Sequence, residues 1–475
     1  MIPTLFGALV VLGGLLTRGG AALSLGLLLC LFGAAAAVSL PALGGATLTP
    51  AVVFLPFLLW RALSERAERG PLRRANPASF WLVLLAAWGA LSATLLPRLL
   101  AGRMQILTVD RSGGATAASL LPLTPVSGNI TQTGYALGGA LTFVAARRLL
   151  QRDGRLLQFR DAALWLCALN CAAAVWSLLE FHLGLPSLLS WVRTANYAIF
   201  DSYEEAGLMR IQGTFSESSA FAAFTLPLFA FSLRLWLGRV GSRLSGTLAL
   251  CSLLLLLLST STTAYAALGL YLAGWAAALL GRFYLSGGVP RAGDLLGWSL
   301  GIATALGVSS LLWPQLFGRV AEFAQMTVLS KMQSSSGVER NAWNQQAWSN
   351  FVDTFGLGVG LGSARASGFA LVLLSNVGVV GTLLFLGFWR SVWRSAEPGA
   401  WREGSPEGCI CLAARQATLA ALTAALVSAA VFDLGIAFYV FAAAASVGAP
   451  TWALRSASES SLSAARWQRA AASHP

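Results

Sequence analysis

Three arginines and two acids stand beside long apolar runs in this chain of 475 residues. Arg210 and Glu217 precede one run, Arg340 and Asp353 lie in a polar segment, and Arg365 precedes another run. Guanidinium groups pair bidentately with phosphate-like anions, and a carboxylate accepts the proton of an attacking hydroxyl. These residue types predict the binding of a multiply charged anion next to a general base.

Each of these residues also has a purely structural interpretation. Arg210 and Arg365 are alternatively interfacial arginines that extend toward lipid headgroups. Arg340 alternatively pairs with nearby acids, and Glu217 alternatively marks the first turn of a helix, where acids are favoured. The base role has several candidates besides Glu217, namely Asp353, Glu339 and the cluster Asp201, Glu204 and Glu205.

The histidine and cysteine contents argue against a metal centre. The chain has two histidines and six cysteines, and the cysteines fall in apolar runs or in a basic loop, without the spacing of a zinc site. A histidine-based metal or acid–base centre is almost excluded, and we expect no metal, no cofactor and no disulfide framework.

The composition is that of a polytopic membrane protein. Hydrophobic residues make up 56% of the chain and charged residues 11%, whereas soluble domains carry about 25% charged residues. A helix needs about 20 apolar residues to cross the hydrocarbon. Thirteen apolar runs fit helices of this kind, so we expect an all-α protein of 12–13 transmembrane helices in a single membrane domain. The runs are 3–17, 20–41, 47–63, 79–98, 131–149, 161–181, 216–236, 245–261, 263–281, 293–313, 367–389, 411–431 and 434–453.

The distribution of arginines predicts the orientation. When loops are assigned alternately to the two sides, 23 of the 32 basic residues fall on one side, and basic residues accumulate in cytoplasmic loops. The C-terminus is then cytoplasmic. The net charge of +13 reflects this topology and attraction to anionic lipids, so nucleic acid is not an expected partner.

Two long loops lie on the opposite side, at 182–215 and 314–366, with a shorter polar segment at 99–130. The second contains an expected helix at about 338–355. It lies either at the membrane surface as an amphipathic helix or packed on the bundle. Its apolar side chains fall within half of a helical wheel, and they are Trp343, Ala347, Trp348, Phe351, Val352 and Phe355.

Three motifs in this order resemble the Wzy-type polysaccharide polymerase and O-antigen ligase superfamily of membrane glycosyltransferases. They are "RIQGTFSESSAFAAF" (210–224), "ERNAWNQQAWSNFVDTFGLGVGLGS" (339–363) and "SARASGFALVLLSNVGVVGTLLF" (363–385). The motifs cover about 210–390, and the pattern of spans extends the resemblance over the chain. Each motif is degenerate. The resemblance therefore rests on the order and spacing of the three motifs along the chain and on their common location on the predicted outer side of the membrane.

This resemblance implies glycosyl transfer at the periplasmic face of a bacterial inner membrane. A glycan on undecaprenyl pyrophosphate is the implied donor, and a second lipid-linked sugar is the acceptor. Arg210, Arg340 and Arg365 would bind the pyrophosphate, and the glycine-rich loop 356–363 is either a cradle for phosphate oxygens or only a tight turn. Glu217 or Asp353 would be the catalytic base. Residues expected to contact sugar are Gln212, Ser216, Ser261, Thr262, Asn341, Trp343 and Ser367.

Two departures from the family pattern matter. The ligase branch has a histidine near the start of the span at 367–389, and this chain has none there, which argues against a ligase; His182 lies in another loop. Many members also have an arginine after a serine in the hairpin 259–270, where this chain has Ser261 and Thr262. A transporter or flippase is the alternative of another class, but it predicts paired repeats and mid-membrane charges, which the sequence lacks.

Overall fold

The computed structural model describes residues 2–41, 46–65, 76–110, 117–196, 204–205, 208–286, 335–395 and 405–447. The structure is mostly helical, at 74%. Within these ranges six helices are long and apolar enough to cross a membrane, so the chain is a helical multi-pass membrane protein, as the composition predicts. They are α4 (Pro77–Leu99), α6 (Arg155–Leu183), α7 (Ser218–Leu237), α9 (Thr262–Ser286), α11 (Phe369–Ser395) and α12 (Pro406–Ser428).

The helices at the start of the chain are shorter than their apolar runs. Helix α1 (Leu5–Leu16) and helix α2 (Gly19–Leu28) have 12 and 10 residues, or about 18 and 15 Å at 1.5 Å per residue. Part of the second run instead forms strand β2, which pairs with strands before α1 and before α3. Hydropathy alone did not distinguish these strands from helix. The strands are β1 (Ile2–Pro3), β2 (Val38–Leu40) and β3 (Ala46–Leu48), and α3 is Pro50–Ser64.

Four further helices complete the described part of the bundle. Helix α5 (Ser127–Leu150) is long but less apolar, whereas α8 (Ser242–Leu258) and α13 (Ile436–Ala445) are short and apolar. Helix α10 (Ser335–Asp353) matches the helix expected at about 338–355. The predicted span 293–313 and the end of the last predicted span lie outside the described residues.

The core is built around α12. Its buried alanines, including Ala417, Ala420 and Ala424, allow close approach of neighbouring helices, as small residues do in membrane bundles. Helix α12 packs along α7 and also contacts α13. Helices α7 and α12 run antiparallel, since Sγ of Cys409 near the start of α12 lies 3.9 Å from the carbonyl oxygen of Arg234 near the end of α7. Residues 218 and 428 therefore lie at the same end of the bundle.

The segment 99–130 contains a hairpin that the sequence did not predict. Strands β4 (Gln105–Asp110) and β5 (Ala117–Pro122) pair in antiparallel register. Ile106 and Leu123 are fully buried and form a small apolar cluster with Val359, which ties the hairpin to the glycine-rich loop. Two further short strands, β6 (Glu204–Glu205) and β7 (Leu208–Met209), lie in the first long loop.

The predicted cytoplasmic loops meet at one end of the structure. Glu65 accepts from Arg152 at 3.0 Å and lies 3.8 Å from Arg155, and Arg61 donates to the carbonyl oxygen of Leu15 at 2.8 Å. These contacts join three loops that arginine counting assigned to the same side. Which side of the membrane they occupy stays a prediction.

Part of the first long predicted outer loop packs against the turn after α2. The N–H of Ala34 donates to the carbonyl of Thr214 at 3.2 Å, and the N–H of Ala195 donates to the carbonyl of Ala34 at 2.9 Å. Ala195 and Thr214 both belong to the loop 182–215, whereas Ala34 lies in a run predicted as a span. These residues form one cluster, which contains the segment around Arg210.

Candidate functional site

Arg210 lies at the entrance to α7. Its Nε donates to the hydroxyl of Ser218, the first residue of α7, at 3.1 Å. The turn that follows Arg210 uses Gly213 at a positive φ of 56°, and the ring of Phe215 packs on that of Phe224 at 4.9 Å. The half-buried arginine is therefore held against the bundle and does not simply extend into a headgroup layer.

Glu217 occupies the residue before the first turn of α7. Its backbone is extended, its side chain makes no capping hydrogen bond, and its carboxylate accepts from the hydroxyl of Ser219. Ser216 beside it is half-buried. This position agrees with the electrostatic preference for acids at a helix start, and it also leaves a carboxylate near Arg210. The base role stays a prediction.

Arg365 is placed by three elements. Its N–H donates to the carbonyl of Leu107 in β4 at 3.1 Å, and its guanidinium carbon lies 5.7 Å from the ring centroid of Trp343 in α10. Two residues later, the N–H of Ser367 donates to Oδ1 of Asn344 at 2.7 Å. The structure thus brings the predicted site residues Arg365, Trp343 and Ser367 together.

The other predicted residues of α10 lie on its exposed surface. Arg340, Asn341 and Asp353 are exposed. Arg340 is one helical turn before Trp343, whereas Asp353 is 13 residues from Arg340, about 20 Å along the axis. Among the described residues no ion pair joins Arg340 to Glu339 or Asp353, so that structural alternative for Arg340 has no support here.

The remaining predicted residues are dispersed. Gln212 is buried and Oε1 of its side chain is 3.4 Å from Arg193. Ser261 is buried at the turn before α9, where its carbonyl accepts from the N–H of Tyr265 at 3.1 Å, and Thr262 is half-buried. His182 is exposed at the end of α6. Asp201 lies outside the described residues, and only the backbone of Glu204 and Glu205 is described.

The glycine-rich loop is a tight turn rather than a phosphate cradle. Every backbone N–H from residue 358 through 365 donates to an acceptor of the protein itself. Val359 and Gly360 donate to the carbonyls of Ser375 and Asn376 at 2.7 and 3.0 Å. These donors are not available to an anion, so the side chain of Arg365 is the phosphate contact that stays a prediction at this loop.

Helix α11 is broken where the loop meets it. Gly378 has a φ of 64° inside the helix, and the N–H of Val379 donates to the carbonyl of Gly356 at 2.9 Å. Nε1 of Trp88 donates to the freed carbonyl of Val377 at 2.8 Å. Non-helical backbone at membrane depth requires internal partners of this kind.

Asn376 holds the loop to α11, a role that no pattern in the sequence indicates. Its Oδ1 accepts from the N–H groups of Gly362 and Ala364 at 3.0 and 3.3 Å. Its Nδ2 donates to the carbonyls of Ala364 and Val372, both at 3.0 Å. Because Arg365 follows this clamp directly, Asn376 fixes the path of the chain that presents the arginine.

Two charged residues near the site were also missed. Arg193 is buried and contacts Gln212 and Gly213. Asp433 lies between α12 and α13, where its Oδ1 accepts from the N–H of Gly435 at 2.9 Å. Enclosure by surrounding residues raises the pKa of the Asp433 carboxyl, and the Gly435 N–H lowers it by less. Neither residue could be predicted, because local patterns show neither the burial of Arg193 nor the enclosure of the half-buried Asp433.

Helix α10 has one side that packs on the bundle and one apolar edge that faces away from it. Ala347 and Asn350 are buried against the bundle, and Gln346 donates to the carbonyl of Gln105 at 2.8 Å. An apolar edge points away from the bundle: Trp348 and Val352 are each 52% exposed and Phe355 is 98% exposed. The helix therefore packs on the bundle and also has an apolar surface. It combines features of both structures considered from the sequence, the helix packed on the bundle and the amphipathic helix at the membrane surface.

We expect the apolar edge of α10 to lie in the lipid, because large apolar side chains left in water are unfavourable. Nitroxide labels placed by Val352→Cys should be accessible to oxygen, which partitions into lipid, in a variant whose native cysteines are replaced. A label from Asp353→Cys, exposed about 100° further around the helix from Val352, should be accessible to a water-soluble nickel reagent. Equal accessibility of both labels to the nickel reagent would refute lipid contact.

No group of three or more His, Cys, Asp or Glu side chains comes together in the part of the chain that the structure describes. Comparisons with protein families, with curated proteins and with solved structures found no match to this chain.

Proposed function

We propose that the protein is a membrane glycosyltransferase that polymerises lipid-linked oligosaccharide repeat units into exopolysaccharide, capsule or O-antigen. One observation carries the proposal: Arg210 and Arg365 each lie within a few residues of the start of a long apolar helix, α7 and α11. An anionic headgroup whose lipid chain lies in the bilayer would meet guanidinium groups at that level.

The two arginines are linked through the bundle. Arg210 bonds to Ser218 at the start of α7, α7 packs along α12, and the carbonyl of Ala429, just after α12, accepts from the N–H of Gly368 at 2.9 Å. Gly368 is three residues after Arg365. This chain of contacts supports a shared site that includes both arginines.

The proposed reaction is a displacement at the anomeric carbon of the donor glycan. A hydroxyl of the acceptor sugar forms the new glycosidic bond, the bond to the pyrophosphate oxygen breaks, and undecaprenyl pyrophosphate leaves with the bonding electrons. The hydroxyl proton goes to a carboxylate, for which Glu217 and Asp353 are the candidates. The arginines stabilise the charge that develops on the leaving group, so no cofactor is required.

The proposed site operates at the periplasmic face of a bacterial inner membrane. Its partners are the donor and acceptor lipids, the surrounding bilayer, a chain-length regulator and the export machinery. An O-antigen ligase, the alternative within the same chemistry, would need a base other than histidine, because residues 363–369 contain none. A transporter or flippase would move the same lipid without forming a bond.

Purified protein in lipid vesicles, supplied with undecaprenyl-pyrophosphate-linked repeat units, provides the test. We expect a ladder of longer glycans together with released undecaprenyl pyrophosphate. Addition of a lipid A core acceptor should leave the ladder unchanged, whereas transfer to that core would identify a ligase. Movement of the lipid across the vesicle membrane without a longer glycan would refute the polymerase and identify a flippase.

A further inference from the structure

Arg193 lies in a layer of outer-loop backbone just after the short 3-10 helix Leu188–Trp191. The hydroxyl of Thr194 accepts from the N–H of Ala36 at 3.1 Å, and the N–H of Ala195 donates to the carbonyl of Ala34 at 2.9 Å. These bonds hold the segment against the turn after α2. The backbone of Arg193 is therefore held by the 3-10 helix before it and by these two hydrogen bonds after it.

The guanidinium of Arg193 is buried among neutral groups. The residue is 9% exposed. Its Nε and Nη2 donate to the carbonyl of Gly213 at 2.9 and 2.6 Å, and its Nη1 is 3.4 Å from Oε1 of Gln212. A guanidinium has five N–H groups, so these three contacts leave donors unused. No ion pair includes Arg193 within the described ranges.

A buried charge whose described neighbours include no counter-ion needs an explanation. Removing a charge from water costs several kcal/mol unless an opposite charge compensates it. A neutral donor is enough to hold a carbonyl in this cluster, since the hydroxyl of Thr214 donates to the carbonyl of Leu31. A structural role alone would not call for arginine at this position.

The turn that Arg193 contacts begins at a second arginine. Arg210 is two residues before Gln212, or about 7 Å of extended chain at most, and the acid of this turn, Glu217, accepts from Ser219. Arg193 thus donates to the turn that begins at Arg210. An anion with oxygen atoms on two adjacent centres can accept from two guanidinium groups.

We propose that Arg193 binds a diphosphate together with Arg210, as an additional binding residue for the lipid-linked substrate. This inference rests on the proposed function, because it assigns a further contact to the same leaving group. The diphosphate supplies a negative charge that none of the side chains described by the structure provides to Arg193. The hydrogen bonds to Gly213 and Gln212 orient the guanidinium for that contact.

Binding of farnesyl diphosphate to the full-length protein in lipid nanodiscs tests the inference, with uncharged farnesol as the companion ligand. Arg193→Gln should weaken farnesyl diphosphate binding on the order of tenfold to a hundredfold, since hydrogen bonds to charged groups contribute about 1.5–3 kcal/mol. Arg193→Lys should fall between that variant and the unchanged protein, because lysine keeps the charge but not the bidentate geometry. Farnesol binding should not change in either variant.

Two matched variants separate binding from structure. Arg103→Gln removes an exposed arginine from the same predicted side and should leave diphosphate affinity unchanged. Thr194→Val removes the bond to Ala36 beside Arg193 without removing charge, and it too should leave the affinity unchanged. Wild-type affinity in folded Arg193→Gln protein, or an equal loss in Thr194→Val, would overturn the inference.

The same measurements distinguish this inference from the proposed function. Diphosphate binding that depends on Arg193, in a protein that forms no polymer from lipid-linked repeats, would support the binding site and refute the polymerase. Polymer formation with diphosphate affinity unchanged in Arg193→Gln would support the polymerase and refute this role of Arg193.

Discussion

Gly362→Ala is expected to prevent the glycine-rich loop from packing into the bundle. Gly362 has a φ of 84°, and a Cβ at this residue would overlap the carbonyl oxygen of Gly128 in α5. The obstructing atoms belong to the backbone, so no side chain can move aside. Left-handed backbone costs an alanine about 1–2 kcal/mol, and displaced buried donors cost about 1–3 kcal/mol each. We therefore expect a loss of about 3 kcal/mol or more of folding free energy.

The measurement is the thermal midpoint of the purified protein in nanodiscs. Gly102→Ala is the matched control, because Gly102 also has a positive φ, 69°, but a Cβ added there would have no atom within 4 Å. The folding free energy of Gly102→Ala should fall only by about 1–2 kcal/mol, which is what left-handed backbone costs an alanine. If Gly362→Ala and Gly102→Ala lower the midpoint equally, the loop does not pack between α5 and α11 as described.

Arg365→Ala and Arg210→Ala are each expected to lower polymer formation about 10²–10³-fold, the range seen when a preorganised donor to a developing charge is removed. The sequence predicts the same direction for Arg340→Ala. Arg210→Lys should also be impaired, since a lysine does not reproduce bidentate pairing. The readout is the length distribution of glycan made from lipid-linked repeats in vesicles.

Arg103→Ala is the control for loss of an outer arginine and should give the wild-type length distribution. Expression and membrane insertion should be equal for all of these variants. Glycan of normal length from both Arg210→Ala and Arg365→Ala would remove these arginines from the reaction. Loss of polymer in Arg103→Ala as well would show that total outer charge, and not a local site, sets the activity.

Much of the helical framework could be predicted because hydropathy and helical periodicity are local properties. The expected helix at about 338–355 is present as Ser335–Asp353 for that reason. The first two apolar runs were expected as spans, but their helices are short because adjacent segments pair as strands. The polar segment 99–130 contains a hairpin whose buried residues contact a loop more than 200 positions away. The sequence around the hairpin does not indicate which distant residues it will contact.

The sequence predicted some residues of the candidate site from their types, but it did not predict their hydrogen-bond partners. Arg365 and Trp343 were both expected, and the structure places the guanidinium near the indole ring. Asn376 and Arg193 were missed because their function depends on acceptors that only folding brings near. The sequence left a cradle and a turn as alternatives for the glycine-rich loop, and the loop's own hydrogen bonds decided for the turn.

The break in α11 has a consequence for how the protein is assembled in the membrane. A straight α11 would pair the carbonyl of Ser375 with the N–H of Val379, whereas the structure pairs them with Val359 and Gly356. The loop supplies partners for these two groups, and Trp88 of α4 supplies one for the carbonyl of Val377. A straight α11 and the packed loop thus compete for the same backbone groups. A substitution that displaces the loop therefore also removes the partners that stabilise the broken form of α11.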